Sequence, residues 1–164
     1  MKSKKYTIGL FILYLLFLSW IIIFKVRFPL ALLPTGRSIN LVPFGASGSY
    51  LEIIINVLIF LPYGIFMCMF ANRKSFLKTL APIFFTSLLY EVIQYIWAVG
   101  ASDITDLITN TLGGVIGIGI FFVLHKIFED RVFKAINVNA VLFLLFIGIF
   151  IFVNMKFNFF LFNF

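Results

Sequence analysis

The chain has 164 residues, 63% hydrophobic and 12% charged, with a formal charge of +7 from 13 Lys and Arg against 6 Asp and Glu. Soluble domains are about half apolar and about a quarter charged, so this composition excludes an ordinary soluble enzyme or binding module and belongs to a membrane class. The basic residues fall in short clusters between apolar runs, not on a face interleaved with exposed aromatics. That placement excludes nucleic acid as a partner and points to membrane topology.

A spanning helix needs roughly 20 mostly apolar residues. The first run, 7–24, follows Lys2, Lys4 and Lys5 and resembles a signal peptide. It is longer than a usual signal core and no small-x-small site follows it, so a retained helix is expected. The connection 25–50 is punctuated by Pro29, Pro34, Gly36, Pro43, Gly45 and Gly48, which predicts an ordered, non-helical loop of the kind that carries function. Three further runs at 51–71, 77–98 and 104–124 are each long enough to span. A fifth, 138–153, is short and continues into an aromatic tail, Phe157-Asn158-Phe159-Phe160; it either crosses the membrane or lies at its interface. Backbone exposed to lipid must satisfy its own polar groups, so the spans are expected as helices. The fold class is therefore all-α, a polytopic bundle of about five transmembrane helices in one membrane domain over 1–164, placed in the plasma membrane.

Basic residues set the orientation. With the N-terminus inside, nine lie in cytoplasmic segments: Lys2, Lys4, Lys5, Arg73, Lys74, Lys78, Lys126, Arg131 and Lys134. Four lie outside: Lys25, Arg27, Arg37 and Lys156. Nine against four predicts N-in and C-out.

This topology gathers the polar residues of the apolar runs toward the outer side. Glu52 and Asn56 lie one turn apart in the outer half of the second helix, and Glu91 and Gln94 in the outer half of the third. Asp103 and Asp106 open the fourth helix, with Asn110 one turn deeper, while Arg37 and Asn40 belong to the outer loop. Ionisable groups inside a membrane cost about 2.5 to 3.5 kcal/mol each on insertion scales, so these should face the bundle interior and find partners. Glu91 is the deepest carboxylate; it is either protonated, because burial disfavours the charged form, or paired with Arg37 if the loop folds inward. Simpler roles stand beside the functional ones. Glu52 and Asn56 would orient the second helix, and Asp103 would be the N-cap of the fourth, with Asp106 favoured by its dipole. Gly113-x-x-x-Gly117 continues the same stripe as a seam for close helix approach, within the bundle or to a second copy. Cys68 is the single cysteine, which excludes an intramolecular disulfide, and His125 has no second histidine for a metal site. No cofactor or metal is expected.

Four elements resemble those of the VanZ-like family. They are Arg37-Ser38-Ile39-Asn40-Leu41-Val42-Pro43-Phe44; Glu52 with Asn56-Val57-Leu58-Ile59-Phe60-Leu61-Pro62-Tyr63-Gly64; Glu91-x-x-Gln94; and Asp103-Ile104-Thr105-Asp106 with Asn110-Thr111-Leu112-Gly113-Gly114. They occur in the family's order over about 37–124. The chain departs from some relatives in having Ala101 and Ser102 where those carry an Arg before the Asp-rich element, which leaves more of any neutralisation to Arg37. The resemblance implies a cell-envelope protein associated with reduced susceptibility to teicoplanin-type lipoglycopeptides.

Three functions follow as expectations, in this order. The first is a non-enzymatic membrane protein whose outward polar site (Arg37, Asn40, Glu52, Asn56, Glu91, Gln94, Asp103, Asp106, Asn110) alters how a lipoglycopeptide or lipid-linked precursor meets the membrane. The second is an intramembrane enzyme acting on a lipid head group, with Glu91, Asp103 and Asp106 supplying acid–base chemistry or oxygen ligands for a divalent cation. The third is a transporter or a subunit of a complex, for which five helices give little room for two inverted repeats. Membrane lipids are the partners common to all three.

Overall fold

The computed structural model describes residues 2–24, 36–45, 50–70 and 75–157. The apolar runs form helices α1 (Lys2–Phe24), α2 (Tyr50–Phe70), α3 (Phe76–Trp97), α4 (Ile104–Phe128) and α5 (Val132–Phe157), with a 3-10 turn at Glu129–Arg131 joining the last two. The helices α1 to α4 are each long and apolar enough to cross a membrane. The fifth run extends beyond 138–153 at both ends, as one helix of 26 residues. The aromatic tail from Asn158 onward lies outside the described residues.

Side-chain contacts give the helix directions. Val57 and Leu61 of α2 lie against Gly113 and Gly117 of α4, so these two helices run parallel. On α1, Thr7 and Asn137 of α5 share hydrogen bonds at 2.9 and 3.2 Å, while Ile22 accepts one from Gln94 of α3, which makes α1, α3 and α5 parallel to one another. Ser87 of α3 meets Asn110 of α4 and Glu91 meets Asp103, so α3 and α4 are antiparallel. The chain thus rises and falls through the bundle, and the starts of α1, α3 and α5 share one end with the finish of α4. That end carries Lys4, Lys5, Lys78, Lys126, Arg131 and Lys134, all exposed.

Glycine sets the closest contact, between α2 and α4. A Cβ at Gly64 would run into the backbone of Gly114 and Ile118, one at Gly113 into the carbonyl of Val57, and one at Gly117 into the carbonyl of Leu61. Lipid tails are as apolar as leucine, so apolar helices gain little by leaving lipid, and close backbone approach supplies the attraction instead. The Gly113 and Gly117 face, expected to receive either a helix of the bundle or a second copy, lies against α2 of the same chain. On the other flank of α4, the Ile83 side chain of α3 comes within 2.6 Å of where a Cβ on Gly114 would stand.

Aromatic rings join α1 to α2. Phe11 and Tyr14 pack against Tyr63 and Phe66 with ring centroids 5.4 to 6.1 Å apart. Pro62 inside α2 has no N–H for the carbonyl four residues earlier and loosens that turn. The Tyr14 hydroxyl donates to the neighbouring Ile59 carbonyl at 2.7 Å, a polar link between α1 and α2 beside that turn.

The structure adds two strands that the sequence reading does not contain. β1 (Gly36–Asn40) pairs in parallel with β2 (Val99–Asp103), from Gly36 opposite Val99 to Asn40 opposite Asp103. α3 stops at Ala98, whose φ of 54° is left-handed and whose N–H returns to Tyr95 at 3.3 Å. The chain then enters β2 and passes directly into α4, so the sheet lies across the end of the bundle opposite the basic one.

Candidate functional site

Asp103 ends β2 and begins α4, and three elements meet on it. Its Oδ1 accepts from the Thr105 N–H at 2.8 Å, capping α4. Its Oδ2 accepts from Asn40 Nδ2 of β1 at 3.0 Å. Its own N–H donates to Glu91 Oε2 of α3 at 2.9 Å. Ser102 next to it donates to the Glu91 carbonyl at 2.7 Å, so both the side chain and the backbone of Glu91 hold the strand. Asn40 Oδ1 accepts from the Val42 N–H at 3.1 Å, and the Phe44 N–H donates to Thr105 Oγ1 at 3.0 Å, drawing the turn after β1 onto the start of α4.

A second carboxylate group lies one turn into α4. Asn56 Nδ2 of α2 donates to Asp106 Oδ1 at 2.8 Å, with Thr109 Oγ1 at 3.5 Å. Deeper still, Asn110 Nδ2 donates to Ser87 Oγ at 3.0 Å, while nearer the sheet end of α3 Gln94 Nε2 donates to the Ile22 carbonyl at 2.9 Å. Gln94 and Asn110 are each 1% exposed, and their amide oxygens have no hydrogen-bond partner among the described residues. Buried acceptors of this kind cost stability unless a donor reaches them.

The structure therefore brings together Asn40, Glu91 and Asp103 in one cluster and Asn56 and Asp106 in another, and places Gln94 and Asn110 on the buried faces behind them. Glu52 lies half-buried one turn before Asn56, in the first turn of α2, where its charge complements the helix dipole. Arg37 is placed through its backbone, opposite Gly100 in the sheet, and its side chain lies outside the described residues, as does any pairing with Glu91. Sequence reasoning missed Ser87, Ser102, Thr105 and Thr109 as participants. Ser87 lies one turn before Glu91 on the same helical face, a spacing that signals it. The Ile22 carbonyl, being backbone, leaves no such signal.

Beside the Asp103 cluster lies a cleft of about 280 Å³. Ile39, Leu41, Leu88, Val92 and Leu107 contribute to its walls, and Asn40, Glu91, Ser102 and Asp103 are its polar members. Leu88, Val92 and Tyr95 are exposed on the flank of α3, so the cleft opens sideways, where a membrane protein meets lipid. The Thr109 and Ser102 hydroxyls donate to backbone carbonyls, and Thr105 Oγ1 accepts from Phe44, which commits them to structure. Among the described residues no group of three or more His, Cys, Asp or Glu side chains is placed to hold a metal ion. The accessible surface of the cleft is apolar, which suits an acyl chain, and the carboxylates of Glu91 and Asp103 are buried directly behind it.

Comparison with known proteins agrees with these features. A VanZ/LLP1 family model matches residues 11–126, which include every residue of both clusters. Protein VanZ of Enterococcus faecium is 41% identical over 120 residues, covering 72% of this chain and 74% of its own length. No solved structure matches. The apolar helices and the family match together make this a membrane protein, and the chain belongs to the VanZ/LLP1 family.

Proposed function

We propose that the chain is a multi-pass protein of the plasma membrane of a Gram-positive cell, and that it lowers susceptibility to teicoplanin-type lipoglycopeptides through the cleft beside Asp103. The single observation that carries this reading is that cleft: apolar walls open toward lipid, and Asn40, Glu91 and Asp103 as its polar members. The exposed basic residues gather at the opposite end of the bundle, which under the positive-inside rule turns the cleft outward. A lipid-anchored antibiotic or a lipid-linked precursor enters such a site from the outer leaflet, its chain along Leu88 and Val92 in front of the buried carboxylates of Glu91 and Asp103. The site comprises Asn40, Glu91 and Asp103 at the cleft. Asn56 and Asp106 hold α2 against α4, Glu52 lies in the first turn of α2, Gln94 and Asn110 lie behind, and Arg37 is carried in from β1.

The test is growth inhibition in a susceptible Gram-positive host expressing wild type, Glu91→Gln or Asp106→Asn at matched membrane levels. Wild type is expected to raise the inhibitory concentration of teicoplanin but not vancomycin. Each substitution is expected to remove most of that rise. An unchanged teicoplanin response with well-expressed wild type overturns the reading.

A second reading, an intramembrane enzyme acting on a lipid head group, draws support from Glu91 and Asp103 lining one cleft. It predicts a product when purified protein is incubated with labelled envelope lipids, with and without Mg2+ or Ca2+. The commitment of the nearby hydroxyls to structural hydrogen bonds favours the first reading.

A further inference from the structure

A second and larger cleft, of about 590 Å³, lies between α1, α2, α5 and the finish of α4. Ligand sites typically have volumes of roughly 300 to 1,000 Å³. Its walls come from residues such as Leu18, Ile59, Phe66, Leu124, Ile136 and Phe143. The two polar side chains among its lining residues both donate within the chain: Tyr14 to the Ile59 carbonyl at 2.7 Å, and Asn139 to the Ala135 carbonyl at 2.8 Å. The cleft therefore offers a ligand almost nothing but hydrocarbon. Water is a poor occupant of such a space, because it needs two to four polar partners.

Charge lies at one end of this cleft. Phe128, Val132 and Ala135 line it beside the turn between α4 and α5, and Arg131 and Lys134 are the exposed chain neighbours of the last two. The Thr7–Asn137 hydrogen bonds fix α1 and α5 in parallel register. Lys4 and Lys134 each lie three residues before a member of that pair, which sets two exposed cations at the same depth on neighbouring helices. Lys5 and Lys126 add to the same end; Glu129 and Asp130 offset part of the charge. An acyl chain gains little by leaving the bilayer for an equally apolar cleft, so selection among lipids falls to the head group. Basic groups between helices at a membrane surface recognise anionic head groups.

We propose that this cleft is a binding site for an anionic membrane phospholipid, one acyl chain lying between α1, α2 and α5 and the phosphate held by Arg131, Lys134 and Lys4. The lipid completes the packing of α5 onto the bundle. The site is separate from the Asp103 cleft, and its test does not depend on any effect on antibiotics.

The experiment uses full-length protein reconstituted in bilayers of equal phosphatidylglycerol and phosphatidylcholine, with retained lipid identified by native mass spectrometry. Wild type is expected to retain one phosphatidylglycerol per chain in preference to phosphatidylcholine. Each basic residue near the surface contributes about 1 kcal/mol, or about fivefold, so Arg131→Gln with Lys134→Gln should lower that preference by roughly 25-fold. Ala140→Phe, which fills the cleft from α5, should abolish retention of either lipid. Ala140→Leu serves as the milder filling variant where the larger ring prevents folding, and should lower retention in proportion. Equal retention of the two lipids by wild type overturns the proposal, as does retention that persists unchanged in the folded filling variants.

Discussion

Asp103 joins three pieces of the molecule through groups that can be separated by substitution. Its Oδ1 caps α4, its Oδ2 holds β1 through Asn40, and its N–H ties β2 to Glu91. Asparagine caps helices about as well as aspartate, so Asp103→Asn keeps the cap through Oδ1. Its other atom becomes an NH2 facing the Asn40 NH2, donor against donor. Leaving a buried donor without an acceptor costs about 1 to 3 kcal/mol. Asp103→Asn should therefore lower the thermal unfolding temperature in detergent, and the exchange Asn40→Asp with Asp103→Asn should recover most of the loss. In that double variant the carboxylate on β1 would accept from the new amide at the start of α4 with one oxygen. Its other oxygen would accept from the Val42 N–H, as Asn40 Oδ1 does in the wild type. If the double variant is no more stable than Asp103→Asn alone, the link between β1 and α4 does not rest on this hydrogen bond. A simpler residue-scale effect belongs to Ala98, held at φ 54° where α3 ends. Glycine adopts that conformation without the Cβ clash, which costs roughly 1 to 2 kcal/mol in alanine. Ala98→Gly should accordingly raise the unfolding temperature.

At the scale of elements, two glycines of α4 provide a matched comparison. Gly117 lies against the Leu61 carbonyl of α2, whereas a Cβ on Gly119 would meet nothing within 4 Å. Alanine is about 1 kcal/mol better than glycine in a helix interior. Gly119→Ala should thus be neutral or stabilising, while Gly117→Ala should lose about 1 to 3 kcal/mol through forced separation of α2 and α4. Unfolding in detergent measures both, and equal responses would mean that the seam is not tightly packed. The existence of this seam was legible from Gly113-x-x-x-Gly117, but its partner was not, because such a motif states that something approaches closely and not which helix does. The helices were legible for a stronger reason. Each apolar run has to be a helix at membrane depth, and the ends fell within a few residues of expectation for α2, α3 and the start of α4. The strands were not legible. Five residues each at Gly36–Asn40 and Val99–Asp103 are too few for an alternating pattern to stand out, and their pairing joins segments some sixty residues apart. The candidate site was legible as a set of residues on one side of the bundle. Its division into an Asp103 cluster and an Asp106 cluster depended on register between helices, which a single sequence does not contain.

For the whole molecule, the question that decides function is which way the bundle faces. Glu52, Glu91, Asp103, Asp106 and the sheet occupy one end, the exposed lysines and Arg131, with Glu129 and Asp130 in the turn, the other, and this polarity exists within the structure whatever surrounds it. On the positive-inside rule the basic end is expected in the cytoplasm and the Asp103 cleft outside. Cys68 is the single cysteine of the chain and is buried, so Cys68→Ala gives a background in which new cysteines report alone. Leu41→Cys places a thiol on the exposed turn after β1, beside the cleft, and Glu129→Cys places one on the exposed turn between α4 and α5. In intact cells a membrane-impermeant maleimide should label Leu41→Cys, and should reach Glu129→Cys only after permeabilisation. The reverse pattern would turn the cleft toward the cytoplasm. An antibiotic arriving from outside would then have no route to Glu91 and Asp103, and the lipid-enzyme reading, which does not need an outward site, would take precedence. The expected pattern would instead put the carboxylates in the leaflet that lipoglycopeptides enter. A loss of teicoplanin response in Glu91→Gln would then report on the site itself and not on the orientation of the bundle.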